Sequence, residues 1–305
     1  DADPGALWVS GAEPGHRNYW KREWLAFDSG LLDNLPGQLR APRTLLTTEP
    51  TPDEAWIWME DVEGRPGEEW PIADYASVAF DVGTTQGEYA ADPPSLPAAD
   101  WLAHDWLRGW ADALAHHIPL LDDDAVWSAP ALQSMDPLRT RVASLWASRD
   151  DLLAIVDTAL RTVVHCDLWP ANLIAADDGT TVAVDWSQIG IGAVGQDLDQ
   201  LTLDPVWMQV RPDTDPETLE NTVIPAYLAG LGAAGLVVDE AELRAWYAAA
   251  AAVHYVPMMA MYAASLANLG RIDELEIRHA RPIEAITADK ARVVEHALTL
   301  GEQLL

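Results

Sequence analysis

Three oxygen-bearing side chains near the middle of the chain have the spacing of a site that handles phosphate. Asp167 and Asn172 lie five residues apart in His165-Cys166-Asp167-Leu168-Trp169-Pro170-Ala171-Asn172. Asp185 follows Asn172 by thirteen residues, at the end of Val182-Ala183-Val184. Asn172 and Asp185 offer hard oxygen ligands of the kind Mg²⁺ takes beside substrate phosphates. Asp167 is left free to orient a hydroxyl and accept its proton. Phosphoryl transfer asks a protein mainly to position groups and neutralise charge, so these three residues supply the local machinery. Singly, each would be an ordinary loop residue satisfying turn backbone; the ordered spacing between short β-type runs carries the reading.

The elements that must position this site follow from the pattern around it. Val163-Val164, Leu173-Ile174-Ala175 and Val182-Ala183-Val184 are β-type runs about a turn at Asp177-Asp178-Gly179. Upstream, Trp20, Trp24, Phe27 and Leu31 recur at helical spacing in Asn18–Leu35, which Pro36-Gly37 ends. Arg43–Thr48 and Ala55–Met59 read as strands joined by the polar stretch Glu49–Glu54, and the acidic Glu60–Trp70 reads as a connector between lobes. Helical spacing then dominates: Asp74–Tyr89, Trp101–His117, Leu138–Thr162, Leu219–Gly230, Glu240–Leu269 and a last helix from Ile286. Tryptophans such as Trp20, Trp24 and Trp106 fall on helix faces and are expected in the core.

Composition bounds the function. The 305 residues carry 18 basic and 49 acidic side chains, a net charge of −31, which repels phosphate backbones and anionic membranes. Neither nucleic acid nor membrane is an expected partner; a neutral or cationic small molecule suits the sign better. The apolar Ala245–Ala264 stretch, interrupted by His254 and Pro257, reads as a buried helix kinked at the proline rather than a membrane span. A cytoplasmic location is expected. The single cysteine, Cys166, rules out an internal disulfide framework and a cysteine-based zinc cluster. Beside His165 it is expected to be a small buried filler, since neighbours in a β run point to opposite faces.

The pattern H-x-D-x-x-x-x-N, followed by Asp185-Trp186-Ser187 and Gly195-Gln196-Asp197-Leu198, resembles the aminoglycoside phosphotransferase and choline kinase family, a branch of the protein-kinase-like fold. The likeness extends to Tyr19-Trp20-Lys21-Arg22-Glu23 and to Trp56-Ile57-Trp58-Met59-Glu60-Asp61-Val62, and so covers nearly the whole chain. It implies an α+β, two-lobed fold: a partial N-lobe over residues 1–62 and a mostly helical C-lobe over 63–305, with the catalytic loop at 163–187. It implies ATP and Mg²⁺ as cofactors, with Asp167 as catalytic base and Asn172 and Asp185 as metal ligands. The backbone of Glu60 and Val62 would meet adenine, with Met59 lining the pocket, and Glu23 would pair with an ATP-binding lysine. His165 would brace the loop, and Asp197 would hold it from below. The departures are Cys166 where glycine is usual, Trp169 where a polar residue is usual, and Asp199 where alanine is usual. Trp169 and Asp199 are candidate acceptor contacts. The resemblance also implies a phosphate-covering loop and a strand lysine ahead of the Glu23 helix. No lysine precedes Lys21, and Asp1–Arg17 is too short for three strands. The N-lobe is therefore expected to be truncated, with those parts preceding Asp1, or else the nucleotide site lacks them.

The expected activity is transfer of the γ-phosphoryl of ATP to a hydroxyl of a small, hydroxyl-rich molecule, with amine-bearing ones such as an aminoglycoside, amino sugar or other antibiotic among the candidates. The alternative is a pseudokinase that binds nucleotide or ligand without turnover, which the missing lysine motivates. A sugar hydrolase with paired carboxylates leaves the Asn172 spacing unexplained. A dinucleotide fold built on Gly190-Ile191-Gly192-Ala193-Val194-Gly195 lacks the second parallel strand that fingerprint requires.

Overall fold

The apolar spacing of Asn18–Leu35 does produce a helix, α1 (Arg22–Asp28), shorter than the pattern suggests because Gly30, at φ +73°, turns the chain. The structure is a computed structural model and describes residues 9–267 and 269–305. Residues 1–8 of the expected first lobe, and Asn268 within the predicted Glu240–Leu269 helix, lie outside that range. After β1 (Leu39–Arg40), strands β2 (Thr44–Thr51) and β3 (Glu54–Met59) form an antiparallel hairpin with Leu46 opposite Trp58 and Thr48 opposite Trp56. The strands run into Glu49–Glu54, predicted as connector, because Pro50 is tolerated in a sheet with two free edges. One face of the hairpin packs on α1. The other leaves Leu45, Leu46, Trp56 and Trp58 exposed.

After β4 (Gly64–Pro66) come helices α2 (Ile72–Ala91), α3 (Trp106–Leu114), α4 (Asp124–Trp127), α5 (Arg139–Ala147) and α6 (Arg149–Asp157). Two spans predicted as single helices divide. Trp101–Asp105 stays irregular ahead of α3, and Ser148 separates α5 from α6. Asp123 accepts the Ala125 N–H and caps α4. The central strands are β5 (Arg161–Val164), β6 (Leu173–Ala176), β7 (Thr181–Ala183) and β8 (Gly190–Ala193). They are followed by α7 (Leu198–Thr202), α8 (Asp204–Trp207), α9 (Pro216–Ala233), α10 (Glu240–Tyr255), α11 (Met258–Leu266), α12 (Leu269–His279) and α13 (Ile283–Glu302).

Strand order in the main sheet is β1-β7-β6-β4, with β1 parallel to β7 and the other pairs antiparallel. Residues on either side of the hairpin thus pair on opposite edges of one sheet. Strand β8 pairs antiparallel with β5, so the glycine-rich run is a strand edge and not a phosphate-binding turn. The core is continuous and holds Trp70, Tyr75, Trp186, Tyr227, Tyr247 and Tyr255. Trp106 lies in it as predicted, whereas Trp20 is partly exposed beneath the Lys21 ammonium, because the helix begins only at Arg22. The stretch Glu240–Leu266 is long and apolar enough to cross a membrane by composition, but it is mostly buried inside the molecule and breaks at Val256-Pro257.

Candidate active site

The catalytic-type loop begins where β5 ends. Cys166, at φ +63°, turns the chain out of the strand into a conformation costly for a residue with a side chain. Buried polar partners hold it there. Asp197 accepts the Cys166 N–H (3.0 Å) on one carboxylate oxygen, and the His165 N–H (2.9 Å) with the Gln86 side-chain amide (2.8 Å) on the other. Gln200 accepts the Leu168 N–H and donates to the Cys166 carbonyl. Behind Gln86, the Tyr227 hydroxyl donates to its amide oxygen and accepts the Gly195 N–H. Burial pushes the Asp197 carboxyl up to about 6, against the three hydrogen bonds it accepts.

His165 is enclosed as well. Its Nδ1 accepts the Asp167 N–H, which leaves Nε2 to donate to the Val184 carbonyl (3.1 Å), and its ring lies against Trp186. Burial pushes this imidazole down to about 4, so it is neutral near pH 7. It ties the loop to the end of β7. The Cys166 thiol is buried and raised, chiefly by burial, and it is no nucleophile.

Asn172 and Asp167 come together as their spacing suggests. The Asn172 side-chain NH₂ donates to the Asp167 carboxylate and to the Asp167 carbonyl, both at 2.8 Å. The Asn172 Oδ1 accepts no hydrogen bond from the described residues. Asp185 lies beyond β7 in the left-handed region (φ 58°, ψ 65°), exposed, with its carboxylate in no hydrogen bond among the described residues. Burial pushes Asp167 up to about 6, aided by the Asp185 charge and opposed by the Asn172 amide and His254. Asn172 Oδ1 and the Asp185 carboxylate are thus two uncommitted hard oxygens beside a third carboxylate. Among the described residues, His, Cys, Asp and Glu side chains nowhere form a group of three able to cage a metal. The donor set fits a Mg²⁺ that draws its remaining ligands from phosphate and water.

Glu23 also reaches this corner. Its carboxylate accepts the Trp186 N–H at 3.1 Å, and burial together with the Asp185 charge raises it. Neither lysine of the sequence pairs with it: Lys21 binds Glu49 at 2.6 Å, and Lys290 donates to the Trp207 carbonyl. At the hinge, the Glu60 N–H closes onto the Arg43 carbonyl. Its carboxylate is gripped by Arg43 and Arg40, whose hydrogen bonds outweigh burial and hold it below the usual range. Among the described residues the Glu60 carbonyl and the Val62 N–H stay uncommitted, with Met59 half-buried beside them. They are the acceptor and donor that an adenine edge requires. Of the Glu60 polar groups, the carboxylate and the N–H are engaged and the carbonyl is left.

On the other side of Asp167, Trp169 is half-buried in the loop. Asp199 corrects the expectation of an acceptor contact. It is only 2% exposed, because α7 turns it inward, where it meets His254 Nδ1 at 2.9 Å. That imidazole sits edge-on to Trp106 and Trp110. Asp204, also buried, is pushed up to about 7 by burial against the pull of His254 and Tyr255. The sequence pattern does not disclose Gln86, Gln200, Tyr227, Arg22 or His254. Only Gln200 carried a local signal, at helical spacing from Asp197; the others come from remote elements.

A family model described as a phosphotransferase enzyme family matches residues 21–246. Among curated proteins, none matches the chain. A crystal structure of a spectinomycin phosphotransferase in complex with ADP and spectinomycin aligns with TM-score 0.57 at 15% identity, over 95% of this chain and 84% of that one. An aminoglycoside phosphotransferase from Alicyclobacillus acidocaldarius aligns with TM-score 0.55 at 13% identity, over 96% and 84%. An amicoumacin kinase in complex with AMP-PNP and Ca²⁺ aligns with TM-score 0.50 at 16% identity, over 86% and 77%. At these identities the likeness is one of fold.

Proposed function

Because the chain belongs to the phosphotransferase enzyme family, we propose that it transfers the γ-phosphoryl group of ATP to a hydroxyl of a small, amine-bearing acceptor. One observation carries this reading: Asn172 holds the Asp167 carboxylate through its NH₂ while its own oxygen and the Asp185 carboxylate remain open. Asn172 and Asp185 would hold Mg²⁺, which when bound neutralises the phosphate oxygens. The protein does the rest by placement. The Glu60 carbonyl and Val62 N–H take the adenine edge, and Met59 lines it. Asp167, with one oxygen on the Asn172 amide, orients the acceptor hydroxyl and accepts its proton at the carboxylate. Asp197, Gln200 and His165 keep the loop in that geometry, and Trp169 offers a ring face to the acceptor.

Two of the fold relatives are complexes with a nucleotide and an antibiotic-type ligand, spectinomycin with ADP and amicoumacin with AMP-PNP, which supports this class of acceptor. The net charge of −31 favours a cationic one. The test is ADP release with Mg·ATP across a panel of hydroxylated amines. Asp167→Asn should lower the rate by about 10²–10⁴-fold, with ATP affinity within a few-fold of wild type. Full activity in that variant would remove Asp167 from the role of base. The second reading, a ligand-binding pseudokinase, is favoured by the absence of a lysine beside Glu23 among the described residues. It requires nucleotide binding with no ADP release on any acceptor, unchanged in Asp167→Asn.

A further inference from the structure

Two consecutive residues of α1 hold the turn that carries Asp185. Glu23 accepts the Trp186 N–H at 3.1 Å, and the Arg22 guanidinium donates to the Ser187 carbonyl at 3.2 Å. Arg22 is 1% exposed, and its other donors go to the carbonyls of His16, Arg17 and Trp101. It therefore joins three chain segments at one point and has little freedom to move. Asp185, immediately before the held amide, sits in the left-handed conformation. A residue with a side chain stays there only when its surroundings over-determine it. Here the surroundings are a fixed acceptor on the next N–H and a fixed donor on the carbonyl after that.

We infer that Arg22 and Glu23 form a clamp on the Asp185–Ser187 turn, and that Glu23 acts as a positioning residue for the Asp185 carboxylate through the Trp186 amide. The inference rests on the reading of Asp185 as a metal ligand. Toward this turn Glu23 works as a hydrogen-bond acceptor, and neither Lys21 nor Lys290 pairs with it. What the clamp requires of Glu23 is an acceptor oxygen at that point.

Glu23→Gln keeps an acceptor oxygen and loses the charge; Glu23→Met keeps the volume and loses both. Mn²⁺ binding in the presence of ADP, followed by electron paramagnetic resonance, should weaken at least about tenfold in Glu23→Met and stay within about threefold of wild type in Glu23→Gln. In turnover, Glu23→Met should need more Mg²⁺ for half-maximal rate, and Glu23→Gln should restore the wild-type requirement. Loss of Mn²⁺ binding in Glu23→Gln as severe as in Glu23→Met would overturn the clamp in favour of a charge role. Wild-type Mn²⁺ binding in Glu23→Met would overturn it as well. Asp185→Asn separates the premise: if it leaves Mn²⁺ binding intact, the metal-ligand reading of Asp185 falls, whatever the Glu23 variants do.

Discussion

Asp199 and His254 meet in the interior, where removing the charge of one partner leaves the other without its hydrogen-bonded counter-ion. Asp199→Asn should therefore cost about 3–5 kcal/mol in urea unfolding near neutral pH. Burial opposes charge on His254, but the carboxylates of Asp199, Asp204 and Asp167 outweigh it and hold its pKa above the ordinary 6.5. A group whose folded pKa is raised contributes its full stability below the unfolded value and loses it as pH rises through the folded one. The stability difference between wild type and His254→Gln should accordingly be largest below the ordinary 6.5 and shrink as pH rises above it. A difference that grows with pH would show that His254 is held neutral. The pair matters to function through its address. Asp199 lies between Asp197 and Gln200, which fasten the catalytic-type loop, so α10 steadies that loop from behind.

Helix α2 crosses α9 closely enough that a side chain at either crossing glycine would strike backbone. A Cβ on Gly230 would lie 2.3 Å from the Phe80 carbonyl, and one on Gly83 would lie 2.4 Å from the Tyr227 carbonyl. The crossing also sets Tyr227 against Gln86 and through it Asp197, so spacing between two helices reaches the loop. Gly230→Ala should destabilise by about 1–3 kcal/mol, since neither backbone can yield cheaply. Gly232→Ala, two residues on in the same helix with open space around it, should instead stabilise by about 0.5–1 kcal/mol. Parallel urea titrations compare the two. Elements of this kind explain what the sequence could and could not disclose. Asp167, Asn172, Asp185, His165 and Asp197 lie within 33 residues, and local order alone exposes them. Gln86 and Tyr227 reach the same loop across 111 and 32 residues, and nothing at their own positions distinguishes them from helix interior. The division at Ser148 and the irregular Trp101–Asp105 were hidden for a related reason: apolar spacing persists through both, and only packing decides where the backbone stops.

Across the whole molecule, 49 acidic against 18 basic side chains make folding a contest with self-repulsion. Raising NaCl from about 10 mM to 150 mM shortens the screening length from roughly 30 to 8 Å, so the melting temperature should rise with salt before it levels off. A fall would mean that the exposed ion pairs, such as Arg139 with Asp124, outweigh the net charge. The path of the chain around the hairpin has a mechanical corollary. Strand β1 enters on one edge of the four-stranded sheet and β4 leaves on the other, three strand spacings or about 14 Å apart. The β2–β3 hairpin between them is a flap on two feet, not a tongue on one stalk. The two legs meet at the hairpin base, where the Glu60 N–H binds the Arg43 carbonyl, and splay from there to opposite edges, which resists twist better than one stalk would. Whatever lodges against the Glu60–Val62 edge meets a surface anchored through both edges of the sheet.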